Sequence, residues 1–195
     1  MTTRGRSRST ESEPVHEPVL VDDVVSILAP QPDGVYVDCT VGLGGHAAAL
    51  VAAGAGRVIG IDRDESAIEQ ARTRLAAVQA GQAVELVHGD YRDLVAVLRR
   101  CGVEQVAGAV ADLGVSSMQF DRAERGFSFR QAGPLDMRMD RSTGATLAER
   151  LATTNDTELA DIIFKFGEER HSRRVARAIM RAHSYTLSLH DALPI

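Results

Sequence analysis

Apolar residues follow two alternating rhythms as far as residue 112, and only one beyond it. Short, nearly unbroken apolar runs recur at 35–39, 57–61, 84–87 and 106–111. That length and continuity predict strands buried on both faces. Between the runs, apolar positions repeat every three or four residues. Leu20, Val24, Ile27 and Leu28 predict a helix over 19–28, stopped by Pro30. Residues 46–53 predict a short helix ended by Gly54. Ile68, Ala71, Leu75 and Val78 share one face of a helix that Asp64 can cap and Gly81 ends. A further helix is expected over 93–100. Strands alternating with helices four times predict an α/β class, a parallel doubly wound sheet covered on both faces.

After residue 112 the strand rhythm stops. Residues 113–141 are rich in Gly, Ser, Arg and Asp and read as a long loop, a kind of connection that is usually functional. Thr146 and Glu149 fit a capping box, which predicts a helix start. A second helix is expected over 157–166, stopped at Gly167. A third begins near 168, with Val175, Ile179 and Ala182 on one face and Arg170, Arg173, Arg177 and Arg181 on the other. A doubly wound sheet normally continues past its fourth strand. The chain therefore reads as an N-terminal fragment with an incomplete sheet, its fourth strand left as an apolar edge. The last twelve residues, SYTLSLHDALPI, break the arginine stripe and resemble translated adapter sequence.

Composition refines this picture. Apolar residues make up 44% of the chain with no Trp and 4% aromatics, so the core is expected to be Val, Ala, Leu and Ile. A formal charge of −5 gives no global basic field, which argues against a wholly basic nucleic-acid binder but permits a local basic face. Two cysteines, Cys39 and Cys101, suggest no disulfide framework and fit a reduced, cytoplasmic setting. No apolar run approaches the roughly 18 residues of a membrane span. The polar, Arg/Ser/Thr-rich start has no apolar h-region and reads as a disordered tail.

Each predicted strand ends on a polar group: Asp38, Asp62, the pair Asp90–Tyr91, and Asp112. Such a register is hard to obtain from turn chemistry alone. The first strand leads into VYVDCTVGLGGH, residues 35–46, in which Gly42, Gly44 and Gly45 form a tight turn before a helix. Asp62 follows Gly42 by 20 residues, where nucleotide-binding α/β domains place the carboxylate for ribose hydroxyls. A carboxylate at Asp38, just ahead of the glycines, repels a pyrophosphate and suits the ammonium and sulfonium of S-adenosylmethionine. Tyr91 offers a face to adenine. These residues favour S-adenosylmethionine over NAD. An NAD-type oxidoreductase is the alternative enzyme, and it would need a Tyr with a nearby Lys, whereas Lys165 is the only lysine.

VDCTVGLGGH (37–46), GIDRD (60–64), ADLGVSSMQFD (111–121), RGFSF (125–129), GPLDMRMD (133–140) and FGEER (166–170) together closely resemble one family, and HEPVL (16–20) matches its start. It is the bacterial small-subunit rRNA methyltransferase H family, the 16S rRNA cytosine-1402 N4-methyltransferases. The resemblance runs from about Val15 to His183. It implies a Rossmann-like S-adenosylmethionine-dependent domain with an inserted helical domain. The resemblance implies the first half of the methyltransferase domain over 15–113 and loop and insertion over 114–183, between the disordered tail over 1–14 and the non-native tail over 184–195 read from the residues themselves. It implies 16S rRNA of the small ribosomal subunit as partner, no membrane, and cofactor contacts at Gly44, Gly45, His46, Asp62, Tyr91, Asp112 and Gln119. Met118 stands where the family usually has Pro, and Tyr91 where Phe is common.

Some roles remain double. His46 can donate to the cofactor or simply start its helix, and it has no partners at metal-ligand spacing. Asp112 is the candidate for a contact near the target amine, though the family places it with the cofactor. Ser116 and Ser117 can orient the base or serve the loop. Arg122, Arg125, Arg130, Arg138 and Arg141 interleave with acids and pair with them in part. Phe127 and Phe129 can stack on an unpaired base or staple the insertion. A binding fragment without turnover is the non-catalytic alternative.

Overall fold

The computed structural model describes residues 18–191, with side chains described as far as residue 183. The expected tail over 1–14 and the last four residues lie outside the described residues. The chain divides into two compact units, the first ending at Ser117 and the second beginning at Met118, a few residues beyond the expected boundary at 113/114.

The first unit is built on four parallel strands in the order β3-β2-β1-β4. They are β1 (Val35–Asp38), β2 (Arg57–Asp62), β3 (Val84–His88) and β4 (Gly108–Val110). Side chains alternate between the two faces, as a pleated strand requires. Tyr36 and Val58 face one way and pack with Leu50, Ile68, Ala71 and Leu75. These come from α2 (Gly45–Ala52) and α3 (Glu65–Ala77), and α1 (Val21–Leu28) adds Val25 and Leu28. Val37, Ile59 and Ile61 face the other way, against Leu94, Val97 and Leu98 of α4 (Leu94–Arg100). The sheet is thus doubly wound. Asp64 caps α3 as expected, its side chain accepting the Ser66 N–H at 3.1 Å.

The order 3-2-1-4 places a topological switch point between β1 and β4. From β1 the chain turns toward β2, and β4 lies on the opposite side. Strand β4 is shorter than the 106–111 expected, is an edge strand, and has Ala109 exposed. Its pairing aligns Tyr36, Val37 and Asp38 with Gly108, Ala109 and Val110.

In the second unit the long loop is more structured than its composition suggests. It contains a short helix, α5 (Ser117–Asp121), and a 3-10 turn at Ala123–Arg125. Arg125 is only 4% exposed, and its Nη2 donates to the carbonyls of Arg138 (3.1 Å) and Met139 (2.8 Å). Asp136, also buried, accepts from Arg138 Nε at 2.6 Å and lies 3.3 Å from Arg141 Nε. Three of the five loop arginines therefore bond within the loop, and of these Arg125 is buried while Arg141 stays half exposed. The capping box Thr146–Glu149 opens α6 (Leu147–Thr153), and Asn155–Glu158 opens α7 (Asp156–Gly167) in the same way. Helix α8 (Ser172–Asp191) does not break at residue 184 as expected; its backbone continues to Asp191. Gly126 turns the loop at φ +77°, where an added Cβ would lie 2.3 Å from the Pro134 carbonyl oxygen. Gly126→Ala is expected to cost at least about 2 kcal/mol, seen as a lowered thermal midpoint.

Candidate functional site

The carboxyl ends of β1, β2, β3 and β4 bring Asp38, Asp62, Asp90–Tyr91 and Asp112 to one edge of the sheet, as the sequence predicts. Ligands of open α/β sheets bind at this edge, at the switch point. The glycine turn stands at its centre. Gly42 (φ +52°) and Gly44 (φ +81°) adopt left-handed conformations, and Gly44 is the N-cap of α2. Gly45 has a different reason for lacking a side chain, since a Cβ there would sit 2.6 Å from Pro18 Cγ.

Asp62 has two tasks. Its Oδ2 accepts the Gly42 N–H at 2.8 Å, and its Oδ1 accepts the Asp64 N–H at 2.9 Å. The carboxylate thus ties the β1 turn to the end of β2. Burial pushes its pKa above the usual carboxylate range, and the amides of Asp64 and Gly42 pull it partly back. Each oxygen keeps a second lone pair, so the group can still accept a pair of hydroxyls.

The strand-three end is fastened to the same place. The Gly89 N–H donates to the Asp62 carbonyl at 2.8 Å, and His88 Nε2 bonds the Arg63 carbonyl at 3.1 Å. Asp90 caps the 3-10 turn Tyr91–Asp93 through the Arg92 N–H. The Arg92 side chain holds the Asp90 carboxyl below its usual range. The Tyr91 ring, 41% exposed, is carried on that turn with part of its surface open to a planar partner.

Two expectations change. Asp38 is 1% exposed, beneath the turn rather than open to a ligand. Its Oδ1 accepts the Thr40 N–H at 3.2 Å, and Oδ2 has no hydrogen-bond partner among the described residues. Burial drives its pKa up to about 6, against the opposing influence of the Thr40 amide and the neighbouring His46 ring. His46 is buried at the start of α2, and its Nε2 bonds the Val19 carbonyl at 2.9 Å. That bond favours the structural role for its ring and leaves the backbone amides of the first turn as its means of meeting a ligand.

Asp112 is exposed just past β4, with its N–H on Thr40 Oγ1 at 2.7 Å. Sequence reading passed over Thr40, because a hydroxyl after a strand has no spacing signature. Gln119 belongs to the other unit, on α5 rather than in a loop, and is buried. Phe127 is half-buried, whereas Phe129 is 87% exposed with the Arg130 guanidinium 6.0 Å from its ring centre. Among the described residues no group of His, Cys, Asp or Glu could hold a metal ion, and no helix is long and apolar enough to cross a membrane.

Residues 13–190 match the MraW methylase family. The chain is 53% identical over 167 residues to a ribosomal RNA small subunit methyltransferase H from Sorangium cellulosum, covering 86% of this chain and 52% of that protein. It is 47% identical over 172 residues to one of the same name from Thermobifida fusca, with the same coverages. The chain thus spans about half the length of the curated relatives it matches. Among solved structures, an RNA methyltransferase from Salinibacter ruber in complex with S-adenosyl-L-homocysteine overlaps 40% of this chain and 52% of its own, at TM-score 0.38 and 22% identity.

The buried Asp38 sets a pH dependence. Its folded value of about 6 lies above the ordinary 3.8, so the native state holds a proton that the unfolded chain has lost across that window. The native advantage is complete below the lower value and disappears as pH rises through the upper one. The swing is about 3 kcal/mol, taking about 1.4 kcal/mol for each pH unit of difference. Asp38→Asn keeps an acceptor for the Thr40 amide but cannot ionise. Denaturant titrations at pH 4 and pH 8 are expected to show the variant gaining on the wild type by up to that amount at the higher pH.

Proposed function

The chain belongs to the MraW methylase family, and we propose that the edge formed by the ends of β1–β4 binds S-adenosylmethionine for methylation of a cytidine N4 amine in 16S rRNA of the small ribosomal subunit, at position 1402. The observation that carries this reading is the Asp62 carboxylate, held beside a bare glycine turn by the amides of Gly42 and Asp64. A ribose diol is the natural donor pair for such a group. Tyr91, fastened next to it, supplies a face for adenine. The amides of Gly45 and His46 open α2 toward the methionine portion, while Gly44 is required by its φ of +81° and by Leu75, which an added Cβ would meet at 3.0 Å. Asp112 completes the proposed cofactor contacts of this edge. The relatives' shared name, ribosomal RNA small subunit methyltransferase H, supports the substrate class. The cytoplasm, where small subunits are found, is the proposed setting.

S-adenosylmethionine supplies an electrophilic methyl group. A cytosine amine is a poor nucleophile, because its lone pair is delocalised into the ring. An acceptor on its N–H would favour pyramidal geometry, and Asp112 is the proposed contact near that centre. Holding the two reactants in line should supply much of the rate. The base must also leave any stack to be reached. Phe129, exposed beside Arg130, is the proposed platform for an unpaired base. A second reading, cofactor binding without turnover by this chain alone, is favoured by the exposed β4 edge at the switch point.

Calorimetry with S-adenosylmethionine and with NAD tests the cofactor. Saturable binding of S-adenosylmethionine is expected, and heat with NAD alone would overturn the reading. Asp62→Ala should weaken that binding at least about tenfold and lower the thermal midpoint, since two backbone amides lose their acceptor. Methyl transfer from labelled cofactor to small subunits, compared between this chain and a full-length relative, separates binding from turnover. Phe129→Ala in that relative's matching position is expected to reduce methylation several-fold while cofactor affinity stays within about twofold.

A further inference from the structure

The three residues after β1 are bolted to both of its neighbours. The Cys39 N–H donates to the Val110 carbonyl of β4 at 2.9 Å. The Val41 N–H donates to the Ile61 carbonyl of β2 at 2.8 Å. Between them, Thr40 uses its side chain: Oγ1 accepts the Asp112 N–H at 2.7 Å, while its own N–H donates to Asp38 Oδ1. Past a switch point the loops of adjacent strands diverge, and backbone ladder bonds no longer reach across. Here one hydroxyl extends the β1–β4 connection past the Cys39–Val110 bond, to Asp112, the second residue after β4. Asp112 is exposed, and the Thr40 contact is the anchor for its backbone.

We infer that Thr40 is a positioning residue, whose hydroxyl fixes the Asp112 backbone and so aims the Asp112 carboxylate into the cofactor crevice. This rests on the reading of that crevice given above. Thr40 is assigned no contact with the cofactor of its own, and its effect passes through Asp112. Thr40→Val keeps the shape but removes the acceptor, whereas Thr40→Ser keeps the acceptor.

Calorimetric titration of S-adenosylmethionine into the intact chain tests this. Thr40→Val should weaken binding about tenfold, the scale of one well-formed hydrogen bond, and Thr40→Ser should stay within about twofold of wild type. In an Asp112→Ala background, Thr40→Val should cause no further loss, because no carboxylate is left to misplace. Hydrogen exchange gives a readout independent of ligand. The Asp112 amide should exchange faster in Thr40→Val, while the amides of Cys39 and Val41 keep their wild-type rates. The inference is overturned by unaltered binding in Thr40→Val, by Thr40→Ser behaving like Thr40→Val, by losses that multiply in the double variant, or by an unchanged Asp112 amide. A wild-type chain that binds no S-adenosylmethionine, with Asp112 exchange responding as expected, would instead refute the reading of the crevice.

Discussion

A strand covered by helices on both faces has no position along its length where a charge can be hydrated. Everything polar must wait until the strand emerges. In this chain Val37, Ile59 and Ile61 are fully buried on one face, and Tyr36 and Val58 on the other. The first carboxylates of β1 and β2 stand at their last residues, Asp38 and Asp62, of which Asp62 is half-buried and Asp38 is still covered. Parallel pairing sends all four ends the same way. Two-sided burial plus parallel direction accounts for Asp38 and Asp62 on the central strands, whereas the edge strands β3 and β4 are less covered and expose Glu85 and Ala109 within their length.

Within that edge the groups divide by burial. Asp38 lies under the turn and holds Thr40; Asp62 lies beside the turn and holds Gly42; Asp90 caps the turn that carries Tyr91. Each acid secures backbone before it can serve a ligand. The amides that keep Asp62 in place also fix the separation of the β1 turn from the end of β2. Binding geometry and local fold are thus two uses of one hydrogen-bond set, which is why a small carboxylate suffices where a longer side chain would need its own support.

Much of this could be read from periodicity. The four strands, the helices between them, the Asp64 cap and the Thr146–Glu149 box all depend on neighbours within a few residues, and such information is local in the chain. What escaped depends on groups that are distant in sequence. Asp38 looks like Asp62 in sequence, and only packing separates the buried acid from the one beside the turn. His46 meets Val19 across 27 residues, and Thr40 meets Asp112 across 72. Arg125 reads as one surface arginine among several, because nothing near it in sequence announces that the carbonyls at 138 and 139 accept from it. Gln119 was expected in a loop because the Gly/Ser-rich flanks of α5 mask a five-residue helix.

Arg125 also makes its loop thermally unlike the sheet. The sheet is ordered by apolar surface removed from water, and exposing that surface carries a large positive heat-capacity change. The loop around Arg125 is ordered by a buried guanidinium that donates to two carbonyls and by Asp136 gripping Arg138. Opening it uncovers mainly polar groups, whose hydration changes heat capacity with the opposite sign. Its stability should vary more nearly linearly with temperature, without the sheet's curved optimum. Cooling that weakens the hydrophobic sheet would leave this polar knot comparatively firm.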